Sequence, residues 1–345
     1  MPSIDETLGQ YSELFILLAA MAYTVAFIAF CWDLATSSKT IRSVESRLAR
    51  EQSEQKVLAG AGAGTSATGS AGKAGAGASV ETADEAMVYT KERRVAARIG
   101  VAITIVAALV HAAGVISRAI AAHRVPWGNM YEFCTTGGLV VAVVFLVVLT
   151  RKDVRFLGSF VIGLVVIMLC AAAIGFPTPV AHLVPALQSY WLIIHVSIAV
   201  IASALFTLTF AMSVLQLLQA NREARARAGQ PERMGFLRLV PSALSLENFA
   251  YRVNAIAFVL WTFTLMAGAI WAEKAWGRYW GWDTKEVWTF VIWVVYAGYL
   301  HARATRGWTG TRAAWLSIVG YLCVVFNFTI VNVFFSGLHS YSGIQ

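Results

Sequence analysis

The chain has 345 residues, of which 58% are hydrophobic and only 13% are charged, a composition far from that of a soluble domain. The net charge is +8, but the basic residues stand in short clusters between apolar stretches, which argues against a nucleic-acid partner. The four cysteines form no CxxC pair, so we expect neither a disulfide framework nor a zinc site.

The N-terminal segment predicts a membrane anchor. Its first residues include Asp5, Glu6 and Glu13 but no basic residue, whereas a cleaved signal peptide begins with positive charge. We therefore expect residues 1–35 to remain in the protein as a transmembrane anchor.

Apolar stretches along the chain predict transmembrane helices. A helix needs about 20 apolar residues to cross a bilayer, and these stretches lack the alternating pattern of a barrel strand. We predict an all-α integral membrane protein with about eight transmembrane helices. They fall near residues 12–34, 96–119, 133–150, 156–176, 190–218, 253–272, 286–302 and 313–337.

The segment between the first two predicted spans has a different composition. Residues 36–95 are basic and rich in Ala and Gly, and residues 57–86 are especially poor in large apolar side chains. Such a segment cannot bury a core. We predict a disordered cytoplasmic linker there, followed by one membrane domain over residues 96–345.

The basic residues also predict the orientation of the chain. Most of the 27 Lys and Arg fall in the linker and in the loops near 151–155, 222–252 and 303–312, which alternate spans place on one side. By the positive-inside rule that side is cytoplasmic. We expect a multi-pass protein of the cytoplasmic membrane with both termini outside.

A tryptophan-rich segment stands on the predicted outer side, between the sixth and seventh spans. It reads WAEKAWGRYWGWDTKEVW over residues 271–288. Five of the twelve tryptophans fall in it: Trp271, Trp276, Trp280, Trp282 and Trp288. An aromatic belt at the membrane surface would explain one or two of them. The density of the others favours a binding site for a flat apolar ligand.

The residues between the tryptophans narrow the chemistry of that ligand. Glycines allow close approach of the backbone, and Asp283 adds a carboxylate. Lys274, Arg278 and Lys285 could meet carboxylates at the ligand's edge. A planar macrocycle with two propionates, haem, fits this description.

Here the chain resembles a known family. The segment WGRYWGWDTKEVW is similar to the WWD motif of haem-handling proteins, and its surroundings resemble the CcsA/ResC type, also called CcsB, of system II cytochrome c biogenesis. Further similar segments cover the chain from about residue 98 onward. They are VPWGNMYEF at 125–133, LVPALQSYWLIIHV at 183–196, YLHAR at 299–303 and VNVFFSGLHSYSG at 331–343.

Two of the six histidines fall on the predicted outer side, close to the tryptophan loop. His195 lies near the outer end of span five, and His339 just beyond span eight. Two neutral imidazoles can fill the axial positions of haem iron, although a lone membrane histidine is more often a structural residue. The resemblance implies that His195 and His339 are the external axial ligands.

His301 is predicted to lie about 21 Å down span seven, near the cytoplasmic side. An ionisable residue at that depth suggests a functional site, and snorkelling to the surface is the alternative. The resemblance implies that His301 ligates haem within the membrane, opposite a histidine of a ResB-like partner. His111 in span two competes for that second position. His123 and His182 fall in outer loops and are expected to shape the site or meet a partner.

The resemblance implies a haem relay. The protein would bind haem b without covalent attachment, since it has no CxxCH sequence, convey it outward and present it to CxxCH of apocytochrome c. It would act as a subunit of a synthase complex with no nucleophile or base of its own, and proteins of thiol-reducing pathways are further candidate partners. A haem exporter without attachment activity and a bis-His electron carrier are the alternatives. A third alternative is a CcmC- or CcmF-type relative from the other WWD pathway, whose pattern of spans fits less well.

Overall fold

A computed structural model describes residues 3–61, 94–231, 234–305 and 307–339, with only the backbone over 37–61. Within these ranges every regular element is helical, which confirms the predicted all-α class. The α-helices are α1 Glu6–Ala61, α2 Val95–Ala121, α3 Met130–Leu149, α4 Gly158–Cys170, α5 Tyr190–Arg227, α6 Ala243–Trp276, α7 Thr284–Ala304, α8 Thr311–Phe328 and α9 Ile330–Phe334. Short 3₁₀ turns occupy Arg155–Leu157, Pro185–Leu187 and Gly235–Leu239, and a π-helical turn occupies Ala171–Gly175.

Seven helical segments in the described ranges are long and apolar enough to cross a membrane. They are Glu6–Thr36, Val95–Ala121, Met130–Leu149, Arg155–Gly175, Tyr190–Arg227, Ala243–Trp276 and Thr311–Phe334. The chain is therefore a multi-pass membrane protein. The segment predicted near 286–302 does form the 21-residue helix α7. This helix is less apolar than the seven segments above, because it contains two Trp and two Tyr and has charged residues near both ends.

The predicted linker lies mainly outside the described residues, since 62–93 are not among them. The part that is described differs from the prediction. Helix α1 continues without a break as far as Ala61, so helix replaces the expected disorder over the first part of residues 36–95.

The helices pack around two hydrophobic cores, and both α5 and α6 contribute to each of them. The first core joins α1, α2, α3 and α4 to α5 and the start of α6, and it contains large buried side chains such as Phe30, Phe145 and Leu208. The second core joins α5 to α8. In it the Phe206 and Tyr296 rings stack with centroids 3.8 Å apart, and Trp261 packs against Phe206.

Trp261 links the second core to the start of α7. Its indole N–H donates a hydrogen bond to the Thr289 carbonyl at 3.1 Å. The ring is almost fully buried, so this bond satisfies a donor that would otherwise be costly in an apolar interior. The pair fixes the beginning of α7 against α6, close to the loop that carries the tryptophans.

Candidate functional site

The tryptophan loop is a short turn between α6 and α7. Helix α6 ends at Trp276, and Gly277 follows with a φ of 71°, a left-handed conformation in which glycine has no steric penalty. Helix α7 begins after Asp283, whose side chain caps it together with Glu286 in a capping box. Residues 277–283 are therefore held at both ends by helix-terminal hydrogen bonds.

Glu286 anchors the middle of this loop. One of its carboxylate oxygens accepts hydrogen bonds from the backbone N–H of Gly281 at 2.8 Å and of Asp283 at 3.1 Å. These two donors flank Trp282, which has a φ of 58°, strained for so large a residue. As a result the Trp282 side chain projects outward and is 77% exposed.

Asp283 joins the loop to the C-terminal segment. One carboxylate oxygen accepts from the Leu338 backbone N–H at 3.1 Å, and the other lies 2.6 Å from Nδ1 of His339. The hydrogen bond from His339 is the main cause that holds the pKa of Asp283 below its usual 3.8. Because the folded-state pKa is the lower one, this contact stabilises the fold above pH 3.8 and is lost as the pH falls further.

His195 is held on the other side of the loop. Its Nδ1 lies 2.9 Å from the Thr264 carbonyl, which can only accept, so Nδ1 carries the proton and Nε2 carries the lone pair. The imidazole lies directly against Gly268, where an added Cβ would come within 2.7 Å of Cε1. Glycine at 268 therefore makes room for this ring.

Trp271 connects the two histidines. Its ring lies nearly parallel to the His195 imidazole with centroids 5.9 Å apart, and edge-on to His339 at 5.5 Å. The indole N–H donates to the Ala186 carbonyl at 3.1 Å. Trp276 contacts both Trp271 and His339, so the four side chains form one aromatic cluster.

A cavity of about 150 Å³ lies beside this cluster. Both histidines line it, as do four tryptophans, Trp127, Trp261, Trp271 and Trp280. Phe133 of α3 and Phe328 of α8, whose rings stack at 4.4 Å, close it between the two helices. The structure thus brings His195, His339, Trp271 and Trp280 to one cavity.

Lys285 of the tryptophan segment also lines the cavity, whereas the remaining residues singled out in that segment lie outside it. Trp282 points outward, Trp288 packs on Phe326 with centroids 4.3 Å apart, and Arg278 is exposed beside Gly281. Trp276 and Asp283 stand behind His339 rather than in the cavity wall. Their contacts are with the histidine and the loop.

His301 and His111 occupy separate places. His301 is exposed near the end of α7, which packs against α6, α8 and α9. His111 is fully buried on α2 and meets the Tyr23 ring of α1 edge-on at 5.8 Å. The structure does not bring these two side chains together. His123 and His182 are both exposed.

A buried network of charged residues near the cavity was not predicted from the sequence. Glu132 is fully buried at the start of α3 and accepts hydrogen bonds from Arg118, Arg124 and the backbone N–H of Gly128. A carboxylate inside an apolar span needs such partners. The presence of Glu132 directly before the third predicted span was therefore the sequence feature that could have indicated this network. The network fixes residues 124–132, which carry Trp127 into the cavity wall.

The donor groups of the cavity fit haem. In the part of the chain that the structure describes, Nε2 of His195 and Nε2 of His339 make no hydrogen bond, whereas each Nδ1 is held by an oxygen acceptor. That is the arrangement in which histidines commonly bind a metal. The cavity is smaller than the roughly 300–1,000 Å³ typical of cofactor pockets, so lining side chains must shift to admit a macrocycle.

Comparison with known proteins gives the family. The sequence profile described as "Cytochrome C assembly protein" matches residues 127–339, a range that contains every residue lining the cavity. The chain belongs to this family of cytochrome c assembly proteins.

Individual relatives narrow the type to CcsA. The chain is 34% identical over 245 residues to "Cytochrome c biogenesis protein CcsA" of Heterosigma akashiwo, covering 63% of this chain and 76% of that protein. It is 37% identical over 179 residues to the protein of the same name in Prochlorococcus marinus, and the match covers 47% of this chain and 57% of that protein. It is 34% identical over 226 residues to the CcsA protein of Chlamydomonas reinhardtii, and the match covers 63% of this chain and 60% of that protein. A CcsA-type role in cytochrome c biogenesis follows.

We predict that Asp283→Asn weakens haem binding by about 10- to 100-fold, the usual effect of losing a residue that orients a metal ligand. An amide presents one acceptor oxygen where the carboxylate presents two, and it carries no charge, so the hydrogen bond that anchors His339 is weakened or lost. Titration of the purified protein with haemin measures the affinity.

Asp5→Asn is the matched control, because Asp5 accepts a hydrogen bond from the Leu8 N–H at the start of α1 and lies far along the chain from the loop. It should bind haemin as the unaltered protein does. Equal affinity for Asp283→Asn and Asp5→Asn would show that Asp283 does not orient a haem ligand.

Proposed function

We propose that this protein binds haem b in the cavity beside the tryptophan loop, with His195 and His339 as its axial ligands, and presents it for attachment to apocytochrome c. The observation that carries the proposal is the pair of free Nε2 atoms described above. Each belongs to a histidine whose other ring nitrogen is fixed by an oxygen acceptor, and both histidines line the same cavity.

The protein's own residues supply ligation, orientation and shielding. The Thr264 carbonyl and the Asp283 carboxylate hold the imidazoles in one tautomer. The aromatic walls would shield bound haem, and His195 and His339 would supply the imidazoles that ligate its iron. The thioether bonds would form between the vinyl groups of haem and the CxxCH thiols of the substrate, so this chain needs no nucleophile.

A partner complex follows from the family role, and we propose that it includes a ResB-like membrane subunit. The position of His301 supports a partner ligand. Its side chain is exposed on α7, and His111, the alternative within this chain, is enclosed between α1 and its neighbours. A second imidazole for haem at His301 would then come from another subunit.

We also propose the direction of transfer. The clusters of Lys and Arg support a cytoplasmic position for the end of the molecule that holds Arg303, and an outer position for the tryptophan loop at the opposite end. Haem would be taken up near His301 and presented at His195 and His339. Attachment to apocytochrome c distinguishes this role from export of haem alone.

We predict that His195→Ala and His339→Ala each abolish formation of holocytochrome c, because each removes one axial ligand. Added imidazole should restore part of the yield by filling the vacated position. Haem-stained cytochrome c in cells measures the outcome.

His182→Ala, a change of an exposed loop histidine, provides the comparison and should keep most of the yield. Normal cytochrome c in both His195→Ala and His339→Ala would refute their assignment as ligands. A purified protein that keeps haem while cytochrome c remains haem-free in cells would point instead to export.

We predict that His301→Ala lowers both the haem occupancy of the purified protein and the yield of cytochrome c, because it removes a ligand on the path to the cavity. Occupancy is measured by the pyridine haemochrome spectrum. Thr305→Ala, one turn further on and also exposed, should change neither quantity. Full occupancy with full yield in His301→Ala would exclude uptake through His301.

A further inference from the structure

One cation lines the cavity. Nζ of Lys285 lies 2.9 Å from the Asn332 side-chain oxygen and 5.3 Å from the centre of the Phe328 ring. Among the described residues it forms no ion pair. The two adjacent acidic groups are engaged elsewhere, Asp283 with Leu338 and His339, and Glu286 with the loop backbone. An ammonium without a carboxylate partner in a largely apolar cavity is costly unless an anion joins it.

A second donor in the cavity wall, the indole N–H of Trp127, has no hydrogen-bond partner among the described residues. Trp127 lines the cavity, and its indole N–H is buried. Its backbone N–H donates to the Val125 carbonyl at 3.0 Å, and the Glu132 network holds the neighbouring Gly128. The backbone of Trp127 is therefore held in place, and the indole donor is left for a ligand.

The surroundings of Trp127 carry excess positive charge. Arg118 and Arg124 share the single carboxylate of Glu132. Arg118 also donates to the Thr178 and Pro179 carbonyls and lies over the Tyr131 ring. One positive charge is thus not neutralised by a carboxylate in this network. Arg124 also donates to the Val125 carbonyl, two residues before Trp127, so this charge favours an anion nearby.

The other cations of the tryptophan segment are placed differently. Lys274 is 57% exposed and paired with Glu273 at 2.9 Å. Arg278 is exposed and rests against Gly281. Neither lines the cavity, so Lys285 is the one of the three cations in this segment that can reach a ligand inside it.

We infer that Lys285 and Trp127 form a carboxylate-binding subsite of the cavity, which receives a propionate of haem. The inference rests on the proposed function and adds to it the residues that bind a propionate group of haem. Lys285 donates charged hydrogen bonds to the carboxylate, and the indole of Trp127 donates a neutral one. The carboxylate in turn satisfies both donors.

The test compares haemin with its dimethyl ester, in which both propionates are uncharged, by equilibrium titration of the purified full-length protein. Lys285→Met should weaken haemin binding about tenfold or more, as loss of a hydrogen bond to a charged group does, and should change binding of the ester by less than about twofold. Trp127→Phe should weaken haemin binding about threefold to tenfold.

Two further variants control for folding and charge. Lys285→Arg should keep the preference for haemin over the ester, because the charge remains. Lys274→Met removes an exposed lysine outside the cavity and should bind both compounds normally.

Equal weakening of haemin and ester by Lys285→Met would show a structural role for the lysine and overturn the subsite, as would unchanged binding of both. In those cases haem binding by the unaltered protein would still stand. If the unaltered protein bound neither compound, the proposed function would fail and the subsite with it.

Discussion

The carboxylate of Asp283 joins the three parts of the site. It caps α7, it fixes the C-terminal segment through the Leu338 N–H, and it holds His339 by Nδ1. His339 belongs to a segment without regular structure, so no helix determines where its imidazole points. The position of this histidine therefore depends on the charge-assisted hydrogen bond to Asp283 and on its ring contacts with Trp271 and Trp276. His195, in contrast, is carried by the long helix α5 and needs only a backbone carbonyl to orient it.

The aromatic cluster determines how the two imidazoles stand relative to each other. Trp271 contacts both, and its indole N–H is tied to the Ala186 carbonyl. The neighbouring cavity, at about 150 Å³, is smaller than a typical cofactor pocket. The Thr264 carbonyl and the Asp283 carboxylate hold the Nδ1 atoms of the two imidazoles, which leaves each Nε2 without a hydrogen bond among the described residues.

Periodicity and composition predicted most of the fold, because apolar helices of membrane length are strong signals. Helix α7 formed where expected, although its aromatic and terminal polar residues make it less apolar than the other spans. The extension of α1 to Ala61 was not predicted, since Lys, Arg, Glu and Gln after residue 38 carry no apolar pattern that distinguishes a helix from a linker.

The site was only partly accessible from sequence. Histidines and tryptophans could be selected by their types and by the side on which they fell, and four of them meet at the cavity. Which tryptophan faces inward depends on the strained turn at Trp282 and on Glu286, and these are long-range consequences of hydrogen bonding. Trp127 belongs to a segment distant in sequence from the loop, so only the fold shows that it lines the same cavity as Trp271 and Trp280.

The most direct test of haem ligation by the two histidines is the electron paramagnetic resonance spectrum of the purified protein loaded with ferric haem. Ligation by His195 and His339 predicts a low-spin signal typical of two imidazole ligands, which becomes high-spin in His195→Ala and in His339→Ala and returns when imidazole is added. A low-spin signal that persists unchanged in both variants would contradict it, because the iron would then be held by other residues.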